Sequence, residues 1–184
     1  MGYQEDDFYI RKVLDGDVRA FANLVDKHKD MVYTIALKLT RNHEDAEEIA
    51  QDTFVKIYRS LGDFRKMSRF STWLYRITYN TAISFLRSRK PEPAPITEDM
   101  VETATVDEIG QKVSEMEIEE QRRIMQLALS LLPEEDNLLV TLYYLDDRPV
   151  AEISEIMGLT QTNVKVRLHR NRKRLYALLN KYYQ

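Results

Sequence analysis

Residues 150–175 read VAEISEIMGLTQTNVKVRLHRNRKRL, and their pattern decides the fold class. Pro149 followed by VAEISEIM predicts a short helix, because proline is well placed where a helix opens. Gly158 then supplies the positive φ that a sharp turn needs. A longer helix starts at about Thr160, and a short helix, a glycine turn and a longer helix make a helix-turn-helix unit. Ile153, Ile156, Leu159, Val164 and Leu168 are spaced to form its small core. At about 100° per residue, Val164 and Leu168 inward leave Thr162, Asn163, Val166, His169, Arg170 and Lys173 outward, with Lys165 at the edge. Arg167 joins these as a candidate DNA contact. From Ile156 to Gln184 the chain has no Asp or Glu. Such a face suits the major groove of DNA, against the plainer reading of a solvated basic helix.

That basic end belongs to a chain whose net charge is −3 over 184 residues. The total hides three blocks. Residues 1–90 and 121–184 are each mildly basic, while 91–120 hold one Lys against ten acids. The segment 91–118 therefore reads as an acidic flexible linker, opened by Pro91, Pro93 and Pro95, which favour an extended path. It separates a domain at 1–90 from a second at 119–184, either as a solvated tether or lying against a basic surface. Only five Gly, and no sustained alternation of β-branched residues, make both domains all-α.

Other classes are narrowed by composition. No run of about 18 apolar residues predicts a membrane span, and the N-terminus lacks a basic region followed by an apolar one. The expectation is a soluble, unexported protein without membrane insertion. Zero cysteines exclude disulfides and thiolate metal sites and suit a reducing cytoplasm. His28, His43 and His169 have no evident nucleophile partner, and no Gly-rich phosphate loop is present. The expectation is no catalytic residue, no metal and no cofactor.

In the first domain, Asp15-Gly16-Asp17 separates a short helix from a longer one, with Asp17 as its expected N-cap. Asn42 is the expected cap of the next helix, which ends near Gly62, and Ser71 that of a fourth. Residues 64–90 carry Arg65, Lys66, Arg69, Arg76 and Arg87 without a single acid, interleaved with Phe64, Phe70, Trp73, Tyr75, Tyr79 and Phe85. Unpaired bases need stacking surfaces and phosphate-neutralising charge, and this segment offers both. The bland alternative is that Phe70, Trp73, Ile77 and Phe85 are core. Arg76, Asn80 and Arg87 share one helix stripe. By contrast, NHEDAEEIAQD (42–52) is purely acidic. Glu44 and Asp45 suit a helix N-terminus, but Glu48 and Asp52 fit an acidic patch for a basic protein partner better.

At this point two long motifs resemble a known family. Residues 45–89, DAEEIAQDTFVKIYRSLGDFRKMSRFSTWLYRITYNTAISFLRSR, resemble region 2 of the sigma-70 family factors of the small extracytoplasmic-function group. Residues 129–175, LSLLPEEDNLLVTLYYLDDRPVAEISEIMGLTQTNVKVRLHRNRKRL, resemble their region 4. The resemblance implies a factor that binds core RNA polymerase, recognises a promoter and helps to melt it. It implies that Asp45, Glu48, Gln51 and Asp52 contact the clamp helices of the β′ subunit. Phe64, Arg65, Lys66, Arg69, Trp73, Arg76, Asn80 and Arg87 would take the minus-ten element. Region 4 would seat on the β flap and read the minus-thirty-five element, with Lys165, Val166 and Arg170 foremost and Asn163 beside them. An anti-sigma factor is the implied regulator. Val166 stands where the family often has a small hydroxyl residue, Thr162-Asn163 where it has a Gly-Thr pair, and Ser84 where an acid is common, so promoter preference is expected to differ. The competing reading is a free-standing helix-turn-helix regulator, and a nucleic-acid enzyme is a third.

Overall fold

The computed structural model describes residues 2–89 and 118–182. The expected linker 91–118 lies outside the described residues except for Ile118 at its end. By backbone proximity the chain divides into two compact units. One is Met1–Pro93 with Ala151–Leu159, and the other is Ala94–Val150 with Thr160–Gln184. Every regular element among the described residues is helical.

The first unit is built on α1 (Gly2–Leu14), α2 (Ala20–Thr40), α3 (His43–Ser60) and α4 (Phe70–Arg89). Helix α2 lies at its centre, packed against the other three. Its apolar residues Leu24, Val32, Ile35, Ala36 and Leu39 are all buried, as three-and-four spacing requires. Of these, Leu24 and Val32 meet Ile10 of α1, Ile57 of α3 and Phe70 and Leu74 of α4 in one core. Asn42 caps α3, its side-chain oxygen accepting from the Asp45 N–H at 2.9 Å. The other two expected caps are not made. Helix α2 begins at Ala20 after Arg19, without a side-chain cap, because turns around Gly16 (φ 100°) and Asp17 take up the backbone donors first. Helix α4 already includes Phe70, and the buried Phe70 ring brings Ser71 inside the first turn.

Polar links fasten α1 to this core. Lys27 Nζ donates to Asp6 Oδ1 at 2.7 Å and Glu5 Oε2 at 2.9 Å. His28, buried, sits 3.2 Å from the same Asp6 oxygen. Partial burial opposes the charge on Lys27, but the two carboxylates outweigh it and its pKa is raised.

The second unit contains α5 (Ile118–Ser130), α6 (Glu134–Tyr144) and α8 (Gln161–Tyr182). Helix α8 packs along both α5 and α6. Near its C-terminal end Leu179 and Ala128 are buried together, flanked by Ile124, Leu175, Tyr176 and Leu178. Helix α6 follows Pro133, and Asn137 Nδ2 donates to the Leu129 carbonyl at 2.6 Å. Helix α7 (Val150–Met157) precedes α8 in the chain and buries Ile153, Ile156 and Met157.

Candidate nucleic-acid interface

Between α7 and α8 the chain turns through Gly158, whose φ is +67°. That backbone conformation strains any residue with a Cβ. Thr160 Oγ1 then accepts the Asn163 N–H at 3.2 Å and caps α8. Helix α8 buries Val164 and Leu168, so its rotation is the one the sequence pattern requires. Thr162, Asn163, Lys165, Val166, His169, Arg170 and Lys173 are all exposed. Val166 is an exposed apolar residue at 51% of its full area, in the first turns of a cationic helix. In helix-turn-helix units those turns meet base edges.

Arg167 is the one expected contact that points elsewhere. Its Nε and Nη2 donate to Asp136 Oδ1 at 2.9 and 2.6 Å, and its Nη1 to Glu135 Oε2 at 3.3 Å. Burial disfavours the charge on this group, but Asp136 and Glu135 outweigh that and raise its pKa. Arg174, two turns on, has Nη1 3.8 Å from the other Asp136 oxygen.

The other candidate surface runs from the loop after α3 along α4. Phe64, Phe70 and Trp73 form an aromatic cluster with ring centroids 5.2 to 5.9 Å apart. Phe70 is buried, whereas Phe64 and Trp73 are half-buried against the same core. The plainer reading therefore holds for Phe70, and in part for Trp73 and Ile77, which pack half-buried on the core; Tyr75 and Tyr79 are buried as well. Phe64 and Trp73 retain part of their surface at the edge of the loop. Arg65, Lys66 and Arg69 are exposed, and Lys66 takes a left-handed backbone (φ 55°) with Nζ 2.9 Å from Asp7 Oδ2. Arg76, Asn80 and Arg87 are exposed along α4.

On α3, Asp45, Glu48 and Asp52 follow one helical stripe, with Gln51 at its side. Glu48, Gln51 and Asp52 are exposed. Asp45 is half-buried and accepts from Arg89 Nη1, while Arg89 Nη2 lies 3.8 Å from Glu48 Oε2. Gln51 also lines a shallow groove between α2 and α3, with Val25, Tyr33 and Phe54. The next residue along the acidic stripe is Val55, exposed at 46%. An exposed apolar residue thus adjoins the acidic stripe on the same side of α3. Among the described residues, no three His, Asp or Glu side chains come together as a metal site requires.

Residues 24–92 match sigma-70 region 2, and residues 122–175 match sigma-70 region 4. The chain belongs to the sigma-70 family, in its extracytoplasmic-function group.

Its similarity to curated members runs through both regions. It is 33% identical over 173 residues to the ECF RNA polymerase sigma factor SigW of Bacillus subtilis, covering 90% of this chain and 92% of that one. To the ECF RNA polymerase sigma-E factor of Escherichia coli K12 it is 32% identical over 174 residues, covering 91% of each. Among solved structures, CnrH in complex with the cytosolic domain of CnrY has the same fold, with a TM-score of 0.65 at 24% identity over 96% of this chain and 98% of that one. The sigma factor RpoE in complex with the anti-sigma factor NepR from Bartonella quintana gives a TM-score of 0.60 at 20% identity, over 87% and 96%.

Three residues of this sigma factor escaped the sequence reading. Val55 extends the acidic stripe, and its spacing from Asp45, Glu48 and Asp52 was a usable signal. Arg89 and Asp136 act through partners 44 and 31 residues away, and no local pattern announces such pairs.

Proposed function

We propose that this sigma factor binds core RNA polymerase through α3 and directs initiation at promoters that it reads with two separate surfaces. Residues 1–90 form the polymerase-binding and minus-ten domain, 91–118 the acidic linker and 119–184 the minus-thirty-five domain. Asp45, Glu48, Gln51 and Asp52 meet the clamp helices of β′, and Val55 adds an apolar contact to that face. Arg65, Arg69, Arg76, Asn80 and Arg87 hold the separated minus-ten strand, with Phe64 and Trp73 at the stacking edge and Lys66 beside them. Thr162, Asn163, Lys165, Val166, His169, Arg170 and Lys173 face the minus-thirty-five element while the same domain seats on the β flap.

The observation that carries this reading is the pairing, in one chain, of an exposed cationic recognition helix with an acidic, partly apolar face on α3. A plain repressor needs the first but has no use for the second. The role is binding rather than catalysis, and its place is the cytoplasm, where polymerase and promoter are. No helix among the described residues is long and apolar enough to cross a membrane. An anti-sigma factor covering the α3 face fits the solved relative RpoE, which is held by the anti-sigma factor NepR.

The test is a pull-down with core polymerase beside a gel shift on duplex DNA alone. Retention on core, with weak binding to free duplex, supports the proposal. Tight binding of a palindromic duplex without polymerase, and no retention on core, identifies a free-standing helix-turn-helix regulator instead.

A further inference from the structure

Asp136 occupies the first turn of α6, where Pro133 offers no side-chain cap and the helix dipole favours a carboxylate. It is 8% exposed, so its charge is withdrawn from water and has to be matched. Both matching groups come from one helix. Arg167 grips one oxygen with Nε and Nη2, and Arg174 approaches the other. Residues seven apart lie on the same side of a helix, so Arg167 holds α8 by hydrogen bonds and Arg174 adds a looser ion pair two turns along. The α6 end is itself tied to α5 through Asn137 and the Leu129 carbonyl.

We infer that Arg167 is a positioning residue, which through Asp136 sets the rotation of α8 and hence the direction in which Asn163, Lys165, Val166 and Arg170 point. It does not itself touch DNA. The inference rests on the function proposed above and deepens it by dividing the cations of α8 into readers and a clamp. Burial of Val164 and Leu168 is a non-directional force, which holds the helix down without fixing the angle of any one bond. A two-pronged guanidinium on a buried carboxylate does fix an angle, since its hydrogen bonds fail steeply with angle. A turn of a few tens of degrees moves the outward side chains by a base-edge width, so the clamp bears on specificity.

The experiment uses the full chain bound to core polymerase, on a promoter recovered by transcription-start mapping, with the upstream element intact or scrambled. Affinity is followed over a series of KCl concentrations for Arg167→Gln, Asp136→Asn, the double variant, Arg167→Lys and Arg170→Ala. Arg170→Ala loses one phosphate or base contact, and a lost phosphate contact reduces the log–log salt slope by about 0.9. Arg167→Gln and Asp136→Asn each cut the preference for the intact element by about tenfold, the size of loss that a coupled pair carries. Both leave the salt slope unchanged, and the double variant is no worse than the poorer single. Arg167→Lys keeps the charge without the two-pronged hold and loses an intermediate amount, which carries the test should the Gln variant fail to fold. A slope reduced by about 0.9 in Arg167→Gln, or losses that multiply in the double variant, make Arg167 a DNA contact and overturn the inference. If wild-type holoenzyme itself shows no preference for the intact element, the proposed function falls first.

Discussion

Arg89, at the end of α4, donates to Asp45 in the first turn of α3, across 44 residues of sequence, while its guanidinium carbon sits 4.3 Å from the Phe85 ring centroid. The acid that opens the proposed polymerase-binding stripe is thus engaged inside the chain before any partner arrives. Glu48, next on the stripe, lies at the margin of the same guanidinium. A basic partner surface has to share or displace Arg89.

That competition has a direction. Arg89 is exposed and Asp45 half-buried, and ion pairs at the surface are worth about 0–1 kcal/mol. Arg89→Ala is therefore expected to tighten binding to core polymerase by up to about fivefold at low salt. The gain should shrink as salt screens both pairs. Fluorescence anisotropy of labelled chain titrated with core measures it. Weaker binding by Arg89→Ala would show that Arg89 belongs to the interface rather than competing with it.

Asn171 is 1% exposed on the inner side of α8, and neither Oδ1 nor Nδ2 has a hydrogen-bond partner among the described residues. A buried amide left unpaired costs about 1–3 kcal/mol. Asn171→Leu keeps a similar shape without polar atoms and is expected to raise stability by an amount in that range. Urea unfolding followed by helical circular dichroism reads the change. A lower midpoint would mean that a bound water satisfies the amide.

Lys27 makes a pH-dependent prediction whose sign follows from its raised pKa. A cation stabilised by folding contributes fully below its unfolded pKa and loses that contribution as pH rises through the folded one. Lys27→Met should therefore be less stable than wild type at neutral pH. The difference should begin to close as pH passes the ordinary lysine value of about 10.4, and vanish only once pH exceeds the raised value of the folded protein. Urea midpoints of both proteins between neutral and strongly alkaline pH measure the gap. A gap that persists when Lys27 is neutral would assign its role to packing of the alkyl chain, not to Asp6 and Glu5.

The helix-turn-helix was legible because its determinants are local. Gly158 marks the turn, and the spacing of Val164 and Leu168 fixes which side of α8 is buried, so the outward residues follow by geometry. Asn42 was legible as a cap for the same reason. Asp17 and Ser71 have equally suitable side chains but do not cap. At Asp17 a competing turn claims the backbone donors, and at Ser71 burial of Phe70 starts the helix one residue sooner. Arg167 looked like its neighbours in sequence because every cation on a basic helix does. Asp136 and Glu135, brought up by the packing of α6 on α8, separate it from Arg170. Long-range ion pairs of this kind depend on tertiary assembly, which periodicity does not encode.

The division of labour between α3 and α8 can be read in one assay, run-off transcription from a mapped promoter. Core polymerase alone, core with wild-type chain, core with Arg170→Ala and core with Glu48→Lys/Asp52→Lys are compared on one template, with core binding measured in parallel. The expected transcript requires the chain, falls with intact core binding in Arg170→Ala, and vanishes together with core binding in the α3 double variant. Loss of core binding in Arg170→Ala, or full transcription from the α3 double variant, would contradict that division.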